Sequence, residues 1–201
     1  QRFSLSLLKI SRKDIIAVEV LPAAFITFMS YIAYGTILTL IPDWTHHLGI
    51  SNKGLFFIVF TISSLVIRFL AGRASDKYGR TRVITLGLFL LVIALFILGY
   101  ANTFAGFLCG SIAYGIATGV LSPALNAWTV DMSHPDHRGK AMATMYIALE
   151  AGIGLGALLA GWFYHDIITR VPVILYSSAA MAFLGFLFML DRIKKARPSK
   201  V

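Results

Sequence analysis

Gly72-Arg73-Ala74-Ser75-Asp76-Lys77-Tyr78-Gly79-Arg80-Thr81-Arg82 is a run of charge and glycine set between two stretches that carry almost no charge. Before it, residues 54–72 hold Arg68 as their only ionisable chain; after it, residues 83–100 hold no Asp, Glu, Lys or Arg. A hydrocarbon core roughly 30 Å thick is crossed by about 20 apolar residues in a helix. At that depth the backbone has no water to bond, so it must satisfy itself as a helix. Each flank therefore predicts a membrane span, and the run between them predicts a connection at the membrane surface.

The same alternation recurs along all 201 residues and gives six spans, at about 20–42, 54–72, 83–100, 104–130, 140–163 and 171–190. The breaks carry turn chemistry: Pro42-Asp43, Gly49 to Lys53, Tyr100 to Asn102, Ser133 to Asp136, and His165 to Pro172. Composition agrees, with 58% hydrophobic and only 13% charged residues, against about a quarter charged in ordinary soluble domains. The spans are continuously apolar rather than alternating, which argues against a β-barrel. The class is an all-α membrane protein: residues 1–19 as a cytoplasmic amphipathic linker, 20–190 as a six-helix bundle, and 191–201 as a basic cytoplasmic tail.

With six alternating spans, both termini and the second and fourth connections share one side. Fifteen of the eighteen Lys and Arg residues fall there, two (Lys53 and Arg170) fall on the other side, and Arg68 lies within a span. The positive-inside rule then places both termini in the cytoplasm, and the net charge of +9 becomes a topology signal beside anionic lipid. Nucleic-acid binding is the poorer reading, because the basic residues sit at helix ends without interleaved exposed aromatics. Cys109 lies alone in an apolar helix, and no Cys/His cluster has metal-ligand spacing. Without a nucleophile–base pair or a phosphate-cradling glycine loop, the sequence reads as no enzyme, with no metal or organic cofactor.

The quoted run resembles the signature loop of the major facilitator superfamily: a Gly, three residues, Asp, a basic residue, any residue, Gly, Arg and a basic close. Gly72, Asp76, Lys77, Gly79 and Arg80 match in register. Pro135-Asp136-His137-Arg138-Gly139-Lys140-Ala141 is similar to the family's entry into the fifth helix. The resemblance implies half of a twelve-helix fold, whose two halves are related by an axis along the membrane normal. The family's proton-coupled exporters often carry an Arg in the fourth helix of the first half, and residues 104–130 contain none. The C-terminal half is favoured, so an N-terminal six-helix half, or a second copy, is the expected partner beside the bilayer and a small-molecule substrate.

The resemblance further implies alternating-access transport of a small organic molecule, as proton-coupled efflux in a bacterial inner membrane. The alternatives are uptake of a sugar or metabolite and a non-transporting assembly partner. A mitochondrial-type carrier is disfavoured, because Pro42-Asp43 is not repeated. At the cytoplasmic gate, Asp76 is expected near the N-terminus of the fifth helix, where the dipole favours an anion, and Asp131 is expected beside Arg80 or Arg73. These contacts form either a switch or a static cluster that fixes topology.

Glu150 lies about 16 Å into the fifth helix at ~1.5 Å per residue, close to mid-membrane. An ionised carboxylate there costs on the order of 3 kcal/mol, so it should face the bundle interior or be protonated. It is a candidate for proton coupling or substrate contact; the plainer role is a neutral Glu bonded to a neighbouring helix, for example through Asn126. Tyr31, Tyr34, Asn126 and Tyr146 are candidate cavity residues. Arg68, one turn before Gly72, is expected to snorkel to the cytoplasm in a structural role. Gly152/Gly156, Gly106/Gly110 and Gly115/Gly119 have the spacing that lets helices approach closely.

Overall fold

The computed structural model describes residues 16–196; the first fifteen residues of the expected linker, and the tail beyond residue 196, lie outside them. A short 3-10 turn at Val18–Val20 leads into six helices: α1 Leu21–His47, α2 Leu55–Tyr78, α3 Arg80–Tyr100, α4 Phe104–Met132, α5 Arg138–Tyr164 and α6 Val171–Ala196. All six are long and apolar enough to cross a membrane. They match the six expected spans in number and order, and they overrun most of the expected ends.

Two overruns change the reading. α1 continues through Pro42 to His47. A proline removes one backbone donor, but Trp44 and Thr45 beyond it are buried, and Thr45 bonds back to the Ile41 carbonyl at 2.6 Å. Packing thus holds the last turns that the local signal marked as a break. α2 likewise runs past Gly72 to Tyr78, and α3 starts at Arg80. The charged run is therefore helix rather than loop, interrupted by Gly79 alone, whose φ of +91° is open to glycine at little cost. At the other end of the chain, the first six residues of the expected basic tail belong to α6.

Neighbour relations place the helices in the series α5–α1–α6–α3–α4–α2. α1 lies deep in the bundle between α5 and α6, and α4 lies between α3 and α2. α2 and α5 stand at the two ends of the series. Their apolar windows are only 17% and 22% buried, against 61% for α1 and for α3. Buried polar contacts add fixed points: Thr36 meets Ser178 at 2.9 Å between α1 and α6, and the Ala17 N–H donates to Thr144 Oγ1 of α5 at 2.9 Å.

The α1–α5 contact is the closest, and it depends on missing side chains. A Cβ at Gly152 would stand 2.6 Å from the Phe28 carbonyl oxygen, and one at Gly156 would collide with the Ile32 carbonyl. Gly35 of α1 meets the α5 backbone at Ile153 and Ala157 in return. Gly154 faces open space, so only one of the two glycine registers on α5 serves this contact. Gly156→Ala should therefore destabilise the chain by about 1–3 kcal/mol, the usual cost of overpacking. Gly154→Ala should be neutral or slightly stabilising, since Ala favours helix by about 1 kcal/mol over Gly. Unfolding in mixed detergent micelles reads both; equal effects would separate the contact from its glycines.

Candidate functional site

At the basic end of the bundle, Arg80 opens α3 and reaches two carboxylates at once. Its Nε donates to Asp131 Oδ2 at 3.0 Å, while Nη1 donates to Asp76 Oδ1 and, at 3.2 Å, to Ser75 Oγ. Asp76 sits in the last turn of α2 and Asp131 in the last turn of α4. Both are helix C-termini, where the dipole disfavours an anion, and Arg80 sits at an N-terminus, where it disfavours a cation. Each charge is misplaced for its own helix and right for its neighbour, so the three form a clamp joining α2, α3 and α4. The Arg–Asp131 pairing anticipated from sequence is present. Asp76 lies on Arg80 rather than at the start of α5.

The remaining signature residues are placed more loosely. Lys77 lies over the Tyr78 ring, 5.3 Å from its centroid, Gly72 borders open space, and Arg138 is exposed at the first turn of α5. Arg192 of α6 closes the same end, stacked near Trp128 and Phe188 at 6.0 and 5.8 Å.

Midway along the bundle, five helices, α1 to α5 with Leu91 from α3, line an open cavity of about 280 Å³. α1 contributes Ser30, Tyr31 and Tyr34, and α2 contributes Phe60 and Arg68. α4 presents Tyr114, Thr118 and Ser122, while Leu149 and Ile153 come from α5. The aromatic side is continuous: Tyr34–Phe60 centroids are 6.3 Å apart, Phe60–Tyr114 5.6 Å and Tyr31–Tyr34 6.1 Å. Tyr31 shares the lining with Ser122 and Arg68. The Tyr114 hydroxyl is buried with no hydrogen-bond partner among the described residues.

Tyr31 and Tyr34 thus line the cavity as expected, whereas Asn126 and Tyr146 are absent from its lining. Glu150 lies on the exposed side of α5, outside the cavity lining. Among the described residues it has no hydrogen bond or ion pair, so it does not face the interior of these six helices. The reason is rotational: Gly152 and Gly156 commit the opposite side of α5 to α1. Arg68 is also displaced from expectation. With α2 extended to Tyr78, it lies about 15 Å from the helix end at 1.5 Å per residue and lines the cavity. Tyr114, Thr118 and Ser122 form an i, i+4 polar stripe on α4, the one signal for this wall that the sequence offered. Among the described residues no group of three His, Cys, Asp or Glu is placed to hold a metal.

The sequence model described as Major Facilitator Superfamily matches residues 23–201. The chain is 29% identical over 156 residues to "Multidrug resistance protein 2" of Bacillus subtilis, covering 77% of this chain and 39% of that protein. It is 24% identical over 177 residues to "Quinolone resistance protein NorA" of Staphylococcus aureus, covering 87% of this chain and 45% of that protein. The chain spans less than half the length of these curated relatives. Its fold is similar to that of the human organic anion transporter MFSD10, with a TM-score of 0.70 at 20% identity, over 91% of this chain and 48% of that one. A peptide transporter, POT, matches with a TM-score of 0.70 at 19% identity, over 88% of this chain and 38% of that one.

The clamp makes a measurable claim of its own. Exposed ion pairs contribute about 0.2–1 kcal/mol each, so Asp131→Asn should cost no more than about 1 kcal/mol. A double-mutant cycle with Arg80→Gln should return a favourable coupling within that range. A coupling of zero would leave α4 untied at this end.

Proposed function

Because this chain belongs to the major facilitator superfamily, we propose that it is the C-terminal six-helix half of a secondary transporter that moves a small organic molecule by alternating access. The supporting observation is the shape of the series: a cavity lined by five helices, with α2 and α5 left uncovered at its two ends. In this family the halves are related by an axis along the membrane normal, and a second half would cover those two helices and close the cavity. That second half is the N-terminal six helices or another copy of this chain. The membrane is a bacterial plasma membrane, and the basic end faces the cytoplasm, where positive charge collects.

Efflux is the direction proposed, because two relatives are named for drug and quinolone resistance, and resistance follows when a compound is kept out. The proposed coupling ion is the proton, and Glu150 is the proposed carrier. It stands on the uncovered side of α5, where the second half would remove it from water. A mid-membrane carboxylate is costly when ionised, and desolvation raises its affinity for a proton. At the basic end, the clamp lies within one half and would move with it. Asp76 keeps exposed acceptor capacity, which a donor of the second half would engage in one conformation only. Such a contact supplies the differential free energy that a switch requires.

The tests use the two halves expressed together in inverted membrane vesicles. Uptake of a fluorescent drug into the vesicles should follow an imposed pH gradient, and Glu150→Gln should abolish that dependence; gradient-driven uptake in the variant would move coupling elsewhere. Asp76→Asn should stop transport with insertion intact. Loss of insertion instead would make the clamp a topological fixture.

A further inference from the structure

We propose that the cavity selects an aromatic organic anion and that Arg68 is the residue that reads its charge; this deepens the transport reading above and rests on it. Among the described residues, Arg68 is the only formally charged one in the cavity lining, and no carboxylate accompanies it there. A guanidinium stays protonated at any working pH, so the cavity carries a fixed positive charge. None of the ion pairs among the described residues involves Arg68. A cation is costly at this depth unless it faces a cavity or a partner. Here it faces a cavity walled by Tyr31, Tyr34, Phe60 and Tyr114.

The wall and the charge ask for different parts of one molecule. Rings whose centroids lie 5.6 to 6.3 Å apart offer edges and faces to a flat aromatic body. The planar guanidinium fork matches the two oxygens of a carboxylate. Tyr31 and Ser122, in the lining with Arg68, add hydroxyls to the cavity. Tyr114 presents its ring to the same wall. A cavity of about 280 Å³ has room for a one- or two-ring acid. An organic cation of the same size would meet Arg68 with like charge.

Three probes of one shape separate the possibilities: naphthoate, the neutral naphthamide and the cationic naphthylmethylammonium. Binding is measured by calorimetry on the two-half transporter in nanodiscs. Naphthoate should bind most tightly and naphthylmethylammonium most weakly. Arg68→Gln should weaken naphthoate by at least about tenfold, the effect of losing one charge-assisted contact. Naphthamide should bind that variant as it binds the parent protein, which also reports that the variant is folded. Arg68→Lys, which keeps the charge without the fork, should fall between. Naphthoate binding no tighter than naphthamide, or unchanged by Arg68→Gln, would overturn the assignment. Transport of the neutral or cationic probe in that event would leave the transport reading standing, whereas no binding and no flux of any probe would remove both.

Discussion

Lipid gives one apolar helix no reason to seek another, since hydrocarbon chains solvate both equally well. Six helices that are apolar on nearly every side must therefore be drawn together by shape and by a few polar contacts. Gly35, Gly152 and Gly156 let α1 and α5 meet backbone to backbone. Thr36 and Ser178 bind α1 to α6, and Arg80 gathers the ends of three helices. Removing water from the problem makes these small features decisive. It also explains why α2 and α5, which stand at the ends of the series, stay largely uncovered without penalty.

The same constraint made the fold legible. Hydropathy and turn residues give six helices, their order and the side that collects charge, because the membrane enforces span length and backbone pairing everywhere. Helix ends were less legible. Pro42 and the charged run from Arg73 look like breaks, yet packing of Trp44 and Thr45 carries α1 past the first, and α2 runs on through the second to Tyr78. The glycine pattern on α5 was visible, but only contact geometry shows that Gly152 and Gly156 serve it while Gly154 does not.

The site was legible in part. Tyr31 and Tyr34 could be named from depth alone, and the pairing of Asp131 with Arg80 followed from opposite charges at adjoining ends. What failed was rotation about a helix axis. Hydropathy says nothing of which way a residue faces when all sides are apolar, so it does not tell that Glu150 stands on the uncovered side of α5 or that Asn126 lies outside the cavity lining. Arg68 was misjudged through an error in length, because a span ending at Gly72 leaves it one turn from water. A helix ending at Tyr78 places it ten residues from that end, with its side chain in the cavity lining.

Gly79 has a mechanical consequence. It is the sole residue between α2 and α3, so those helices are strapped together at the basic end with no slack. Across the membrane, α1 and α2 are joined by residues 48–54, a tether several times longer. A helix strapped short at one end and loosely at the other has its pivot chosen for it. Any tilting of α2 would swing about the Gly79 joint, with its wider excursion at the opposite end of the helix. The freedom of α2 to tilt is thus set by the unequal lengths of the connections at its two ends.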